Sequence, residues 1–321
     1  MPSSEGIGLL AVGAKVYQPA RRPLDEERAL NAQLKEELVM ESPQHVRYDV
    51  PSAGVARVTL TRAEMANVQD MHMLYQIDAA YVRAAADPTI KVVILAAEGE
   101  HFSFGHDIGG LFSSDGVEAR GFATKVEMPG VEGTMAWEEE VFLGLCLRWR
   151  DFPKPIISQV QGGVIAGGLM LIWPTDIIVA SDTAWFQDSV VVLGLNGVEL
   201  FYHPWEFGPR MAKEMLFTGD VVSAADAHRL GMVNHVVPLA DLEAKTLEIA
   251  QKIALRPTFG LKMAKQSVNA ALDAQGQLTA VKSAFGLQQV AHAHNRLISS
   301  QYIDPAGLAH MGVELDASVP F

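Results

Sequence analysis

Two short stretches, FSFGHDI at residues 102–108 and IAGGLM at residues 165–170, determine the expected fold and its site. In each of them an apolar, strand-like run leads into small residues and then into a helical pattern. Small residues leave the backbone N–H groups unobstructed, so two such loops can direct two amides at one oxygen atom. This arrangement is typical of an oxyanion hole, which stabilises negative charge developing on a carbonyl oxygen. The sequence therefore predicts a site between these two loops.

Both stretches resemble the signature of the enoyl-CoA hydratase/isomerase (crotonase) superfamily, whose members hold the thioester carbonyl of an acyl-CoA between two loops of this kind. By that resemblance, the two donors are the main-chain amides of His106 and Gly167. Further similar motifs follow in the family's order: GVARVTLTRAE at 54–64, KPIISQVQG at 154–162, DIIVAS at 176–181 and LFTG at 216–219. We identify the chain as a member of this superfamily over roughly residues 45–300.

The resemblance implies an α/β fold in which repeated strand-strand-helix units form a crotonase-like spiral. We expect an N-terminal extension over residues 1–44, the spiral core over residues 45–235 and a helical region over residues 236–321. In the family this last region builds a trimer, and trimers often stack in pairs. A homotrimer or hexamer is therefore expected.

The spacing of apolar residues alone indicates an α/β protein. Residues 55–60 alternate as in a strand, residues 70–86 have helical spacing, and residues 91–97 form the continuous apolar run of a strand covered on both faces. Further segments continue this pattern: a helix over 137–150, a strand over 155–161, a short helix over 167–173 and a strand over 176–180. Helices are predicted near the C-terminus over 240–255, 258–272 and 278–291.

Composition excludes several classes of protein. The chain has 321 residues and a formal net charge of -13, without the basic stripe that neutralises phosphates, which argues against nucleic-acid binding. No apolar run approaches the roughly 18 residues that a membrane span needs. Cys146 is the single cysteine, so an intramolecular disulfide is impossible, and we interpret it as a buried hydrophobic residue. We expect a cytoplasmic protein without a metal site.

The acids of the site depart from the family pattern. Hydratases that this chain resembles carry two glutamates that position and activate one water molecule. The corresponding positions here are Met170 and Val190, whose side chains neither accept nor donate a proton. Hydration by the usual two-glutamate mechanism is therefore not expected.

Other members of the superfamily place a single carboxylate elsewhere around the same oxyanion hole. That pattern directs attention to Glu199 as the catalytic acid or base, and Asp188 is the second candidate. Each is also compatible with a solvated charge on a loop. A carboxylate in a dry, apolar pocket has its pKa raised, which suits a base that shuttles one proton between carbon atoms. Such chemistry needs no metal and no redox cofactor, and coenzyme A enters as part of the substrate.

The substrate contacts that the resemblance implies are the two loops and the turn after the first strand. They comprise Arg62, Phe104, His106, Asp107, Ile108, Gly109 and Gly167. Two of these residues have alternative interpretations: the His106 imidazole is a possible acid or base, and Asp107 is a possible structural acceptor for backbone N–H groups.

Residues 112–140 form a longer segment than in short family members, and they are predicted to be a loop that leads into a helix. In relatives the matching segment covers the acyl chain, so a longer segment suggests a larger acyl group.

Two functions remain open. The protein is either an acyl-CoA enzyme of the hydratase/isomerase type or a non-catalytic relative that binds acyl-CoA thioesters.

Overall fold

The structure, a computed structural model, describes residues 44–107 and 130–310. Its larger sheet has six strands, in the spatial order β1 (Val46–Ser52), β2 (Val55–Leu60), β3 (Val92–Ala97), β4 (Ile156–Val160), β6 (Ile177–Ser181) and β9 (His235–Val237). β1 pairs antiparallel with β2, and the remaining pairs are parallel. The parallel order places the C-terminal ends of the central strands along one edge. The first signature stretch follows β3, and β4 is followed by the strand that leads into the second one.

The continuous apolar run of β3 is explained by the packing on its two faces. Val93 and Leu95 contribute to the larger hydrophobic cluster, whereas Ile94 and Ala96 contribute to a second cluster on the opposite side. Successive residues of a strand point to opposite faces, so a strand covered on both sides must be apolar throughout.

A smaller sheet contains β5 (Gly163–Ile165), β7 (Trp185–Gln187) and β8 (Val222–Ser223). β5 and β7 are parallel, and β7 and β8 are antiparallel. An isolated bridge joins Ser103 to Val164 of β5. This bridge places the first signature stretch beside the strand that leads into the second one.

Ten α-helices lie in the described ranges: α1 (Met71–Ala86), α2 (Val131–Glu138), α3 (Leu145–Arg150), α4 (Gly167–Ile172), α5 (His203–Thr218), α6 (Ala224–Leu230), α7 (Leu242–Ala254), α8 (Thr258–Ala274), α9 (Gln277–Ser299) and α10 (Pro305–His310). A π-helical turn over Glu139–Gly144 joins α2 to α3. Gly144 permits this wide turn, because a Cβ atom there would lie 2.7 Å from the Glu139 carbonyl oxygen.

The α/β class and the helical C-terminal region are confirmed. The predicted helix over 137–150 was wrong at its start, because the chain becomes helical at Val131 and widens into the π turn. The predicted helix over 278–291 extends to Ser299. The spiral, the division at residues 44 and 235 and the role of the C-terminal helices in assembly stay predictions. None of the helices within the described ranges is long and apolar enough to cross a membrane.

Candidate active site

The first signature loop is fixed by hydrogen bonds to the segment before α1. The Gly105 carbonyl accepts from the Gln69 amide at 2.7 Å, and the Asp107 amide donates to the Gln69 carbonyl at 2.9 Å. Buried Ser103 adds a hydroxyl that accepts from the Gly105 amide at 3.2 Å. Because the bonds at 105 and 107 both face Gln69, the intervening His106 N–H points to the opposite side.

The second loop makes a tight turn into α4. Ala166 has a positive φ of 47°, and its amide donates to the Gln187 carbonyl at 2.9 Å. Gly167 is the first residue of α4, so its N–H is one of the donors that a helix leaves without an intrahelical acceptor. Gly168 must lack a side chain, because a Cβ atom there would lie 2.3 Å from the Ser103 carbonyl oxygen.

The two loops are in direct contact. A Cβ atom on Gly105, which has a φ of +89°, would lie 2.8 Å from the Ile165 carbonyl oxygen and 2.9 Å from the Gly167 amide nitrogen. Among the described residues, the amides of His106 and Gly167 donate to no backbone carbonyl. The two loops therefore meet, and the role of their two amides as donors to a ligand stays a prediction.

A cavity of about 140 Å³ opens beside these loops. Its walls are mainly apolar, and its side-chain polar groups come from several elements that are distant in sequence. The acidic, imidazole, amide and phenol groups are those of His106, Glu138, Glu199, Gln288, His292 and Tyr302.

The His106 imidazole lies over Gly167 inside the cavity. It stacks on the Phe142 ring with the centroids 3.9 Å apart and 16° between the planes. A Cβ atom on Gly167 would be within 2.7–2.9 Å of this imidazole, so any larger residue there would displace the His106 ring. Neither ring nitrogen has a hydrogen-bond partner among the described residues, and Nε2 lies 3.6 Å from Oε2 of Glu199.

Glu199 is the predicted acid that the structure brings to the signature loops. Only 6% of the residue is exposed. Its Oε1 atom accepts a hydrogen bond from Nε2 of Gln288 at 2.8 Å. Its Oε2 atom faces His106 and has no hydrogen-bond partner in the part of the chain that the structure describes. One oxygen of the carboxylate is thus anchored and the other is available to a ligand.

Asp188, the other predicted acid, is fully buried and is not among the cavity-lining residues of the described chain. Its carboxylate accepts from the amides of Val190 and Val198, each at 3.0 Å, and contacts Nε2 of His203 at 2.8 Å. These three partners tie both ends of the loop that carries Glu199. Asp188 thus holds the loop that carries Glu199, and its role as an acid or base stays a prediction.

The two positions at which the resemblance implies glutamate, Met170 and Val190, lie in apolar surroundings. Met170 is buried in α4, and Val190 lines the cavity. Cys146 donates weakly to the Met170 carbonyl at 3.4 Å. Burial, with the nearby Glu199 carboxylate as a smaller cause, raises the pKa of the Cys146 thiol, which is therefore neutral and unsuited to nucleophilic attack.

Arg62 is engaged inside the protein. Its guanidinium donates to Oδ2 of Asp107 at 2.9 Å and lies 3.4 Å from Oδ2 of Asp70. Only 12% of the Arg62 side chain is exposed. This pairing holds the first loop against the turn that carries Arg62, whereas the predicted contacts of Arg62 and Asp107 with the coenzyme stay predictions.

The remaining residues that were predicted to contact the substrate belong to the first signature loop and the residues that follow it. Phe104 lines the cavity and stacks on His101, with the ring centroids 4.5 Å apart. Ile108 and Gly109 lie outside the described residues, as does the predicted acyl-covering loop up to residue 129.

Sequence reasoning missed Glu138, Gln288, His292 and Tyr302. Glu138 belongs to the run WEEE, which reads as a polar helix start, and the other three lie in or after an amphipathic helix. Spacing gives no signal that one glutamate of three points inward. Only the π turn and the contact with α9 bring these side chains together.

A second cavity of about 420 Å³ is lined by ionisable groups, and an ion pair balances the charges of two of them. Nζ of Lys265 lies 2.9 Å from Oδ2 of Asp176, and burial raises the pKa of Asp176 and lowers that of Lys265. Glu206, at the start of α5, also lines this cavity, and burial raises its pKa to about 8. Glu206 is therefore protonated at neutral pH.

Replacement of Glu206 with glutamine is expected to change the pH dependence of stability. The native state holds the Glu206 proton more tightly than the unfolded state, so stability falls as pH rises from 4.5 to about 8. The Glu206→Gln variant lacks this loss. Above pH 8 its free energy of unfolding should exceed that of the wild type by roughly 1–3 kcal/mol. This is less than the pKa shift alone would give, because the Glu206 side chain is partly accessible to solvent. Urea unfolding at pH 4.5 and 8.5 measures this, and an equal difference at both pH values would contradict it.

Comparison with known proteins shows which protein family the chain belongs to. The family model "Enoyl-CoA hydratase/isomerase" matches residues 51–297. The chain is 41% identical over 262 residues to "Putative enoyl-CoA hydratase EchA13" of Mycobacterium tuberculosis, which covers 78% of this chain and 81% of that protein. The chain therefore belongs to the enoyl-CoA hydratase/isomerase (crotonase) superfamily, as the motifs predicted.

Solved structures agree with this assignment. A probable enoyl-CoA hydratase from Mycobacterium smegmatis is 42% identical, with a TM-score of 0.74 over 82% of this chain and 99% of that one. An enoyl-CoA hydratase/isomerase from Xanthobacter autotrophicus Py2 is 30% identical, with a TM-score of 0.71 over 84% of this chain and 93% of that one.

Proposed function

We propose that the protein is an enzyme that acts on acyl-CoA thioesters and transfers a proton at the carbon next to the thioester carbonyl. The amides of His106 and Gly167 hold the carbonyl oxygen, and Glu199 carries the proton. One observation supports this proposal most directly. The unpartnered Oε2 atom of Glu199 belongs to the same cavity as the two contacting loops.

The chemistry follows from where charge develops. When the proton next to the carbonyl is removed, negative charge moves to the thioester oxygen and an enolate forms. Two fixed amides stabilise that charge without reorganising, and loss of one such donor typically costs about 2.7–4 kcal/mol. Gln288 anchors Oε1 of Glu199, which leaves Oε2 free to take up the proton and to return it to the same or a different carbon atom.

The neighbouring groups support this assignment. Asp188 fixes the Val198 amide, so it orients the loop from which Glu199 projects. The His106 ring fills the space between Gly167 and Glu199, and its Nε2 atom lies close enough to form a hydrogen bond with the carboxylate after a small movement. The His106 ring is thus another acid-base candidate in the cavity.

A non-catalytic acyl-CoA-binding protein is the alternative, and the apolar Met170 and Val190 favour it. Incubation with short, long and bulky enoyl-CoA thioesters in deuterated water separates the two functions by product mass. Saturable deuterium uptake supports the enzyme, with or without addition of water. Saturable binding with unchanged mass, for every thioester and also for the Glu199→Gln variant, supports the binding protein.

A further inference from the structure

A second carboxylate, that of Glu138, lies in the wall of the same cavity. We propose that Glu138 and Glu199 form a rebuilt acid-base pair, contributed by positions other than those of Met170 and Val190, and that this pair adds water across the double bond of an enoyl-CoA. The inference rests on the proposed function, since it requires the enolate held by the amides of His106 and Gly167. It assigns a catalytic role to Glu138.

Backbone geometry directs Glu138 inward. It is the last residue of α2, immediately before the π turn, and only 2% of it is exposed. The next residue, Glu139, is exposed. Side chains of a helix that widens into a π turn are displaced from their regular positions, and such turns occur frequently at functional sites.

Glu138 is held by donors from two other segments. It accepts hydrogen bonds from Nε2 of Gln289 and from the hydroxyl of Tyr302, and Nε2 of His292 lies 3.3 Å from its Oε1 atom. A carboxylate accepts about four hydrogen bonds, and Gln289 and Tyr302 supply two, so capacity remains for His292 and for a water molecule in the cavity. These donors also compensate the burial of the charge.

His292 is a proton donor on this side of the cavity. Its Nδ1 atom must donate to the Tyr302 carbonyl at 2.9 Å, because a carbonyl only accepts. Its Nε2 atom faces Oε1 of Glu138 at 3.3 Å and can donate to it when the imidazole is protonated. Burial alone would lower the pKa of His292, but the hydrogen bond and charge of Glu138, with a smaller contribution from Glu199, raise it. The other charged group nearby is the Arg296 guanidinium, which stacks over the Tyr302 ring.

Helix α9 links the two carboxylates. Its consecutive residues Gln288 and Gln289 donate to Glu199 and to Glu138, respectively. A single rigid element thus sets the spacing between the two acids. A one-base isomerase needs only one of these anchored carboxylates, whereas water addition needs two groups.

The proposed reaction is balanced. The Glu138 carboxylate takes one proton from water as the water oxygen bonds to the β-carbon. The electron pair of the double bond moves to form the enolate, and the acid form of Glu199 gives its proton to the α-carbon. The product gains H and OH from one water molecule. The proton on Glu138 returns to Glu199 through solvent.

Two reactions in deuterated water separate the roles. Exchange of the α-hydrogen of a saturated acyl-CoA requires Glu199 and the amides, whereas hydration of an enoyl-CoA also requires Glu138. The Glu138→Gln variant is expected to lose water addition by about 100-fold and to keep α-exchange within about 3-fold. Glu139→Gln, which changes the exposed neighbour, is the matched control and should behave as the wild type.

Glutamine is isosteric. With its oxygen toward Gln289 it accepts from Nε2 of Gln289, and its NH₂ group can donate to neutral His292 or to the Tyr302 hydroxyl. Retained α-exchange therefore also shows that the variant is folded. His292→Gln is the second variant, and it should shift the pH profile of water addition without altering that of α-exchange. If Glu138→Gln loses both reactions, a pH profile of water addition that shifts selectively in His292→Gln still supports the proposal, and an unshifted profile overturns it. Hydration that survives Glu138→Gln overturns it, as does a wild type that exchanges but does not hydrate. A wild type that does neither contradicts the proposed function itself.

Discussion

Replacement of Glu199 with glutamine is expected to lower kcat by about 10³-fold, within the 10²–10⁴-fold range typical of a positioned acid or base. The amide keeps the size of the side chain and can still accept from Gln288, so the cavity and its affinity for the thioester should persist. Only the capacity to take up and release a proton is lost. Turnover of enoyl-CoA thioesters and α-hydrogen exchange, each measured beside thioester binding, test this.

Asp188→Asn is the informative comparison, because Asp188 is the other acidic candidate. The asparagine can no longer accept from all of Val190, Val198 and His203, and an unsatisfied buried group costs about 1–3 kcal/mol. We therefore expect Asp188→Asn to lower the melting temperature and to leave more activity than Glu199→Gln does. Full turnover in folded Glu199→Gln would remove Glu199 from the mechanism.

Local sequence determined much of this site. The two signature loops could be predicted because their requirements are local. Gly105 and Gly168 follow strand-like runs and allow backbone contacts that a Cβ atom would prevent, and Gly167 leaves room for the His106 ring. The α/β class likewise followed from apolar runs such as that of β3, whose alternate residues face two clusters. The signature loops and the α/β class can both be predicted from short stretches of sequence.

The choice between Asp188 and Glu199 was not local. Both lie in one irregular segment, which lacks the regular spacing of apolar residues from which the direction of a side chain can be predicted. The direction is decided by partners at positions 190, 198 and 203 for Asp188 and by Gln288 for Glu199. Glu138 illustrates the same limit, since its partners Gln289 and Tyr302 are 151 and 164 residues away.

Replacement of Gly105 with alanine is expected to lower kcat/KM by about 10²–10³-fold, the effect of losing an oxyanion donor. The new Cβ atom would lie 2.8 Å from the Ile165 carbonyl oxygen and 2.9 Å from the Gly167 nitrogen, and neither backbone atom can turn aside as a flexible side chain would. The loops must separate, which moves the His106 and Gly167 amides apart. Steady-state kinetics with an enoyl-CoA thioester measure the effect.

Gly231→Ala separates this displacement from ordinary backbone strain. Gly231 also has a positive φ, +97°, but a Cβ atom there meets nothing within 4 Å. Both variants should lose about 1–2 kcal/mol of stability because alanine disfavours this conformation. Gly105→Ala should lose more, because its Cβ atom also meets backbone atoms. Only Gly105→Ala should lose activity as well. Equal activity of the two folded variants would mean that the spacing of the loops does not control the reaction, and the two amides would no longer explain enolate stabilisation.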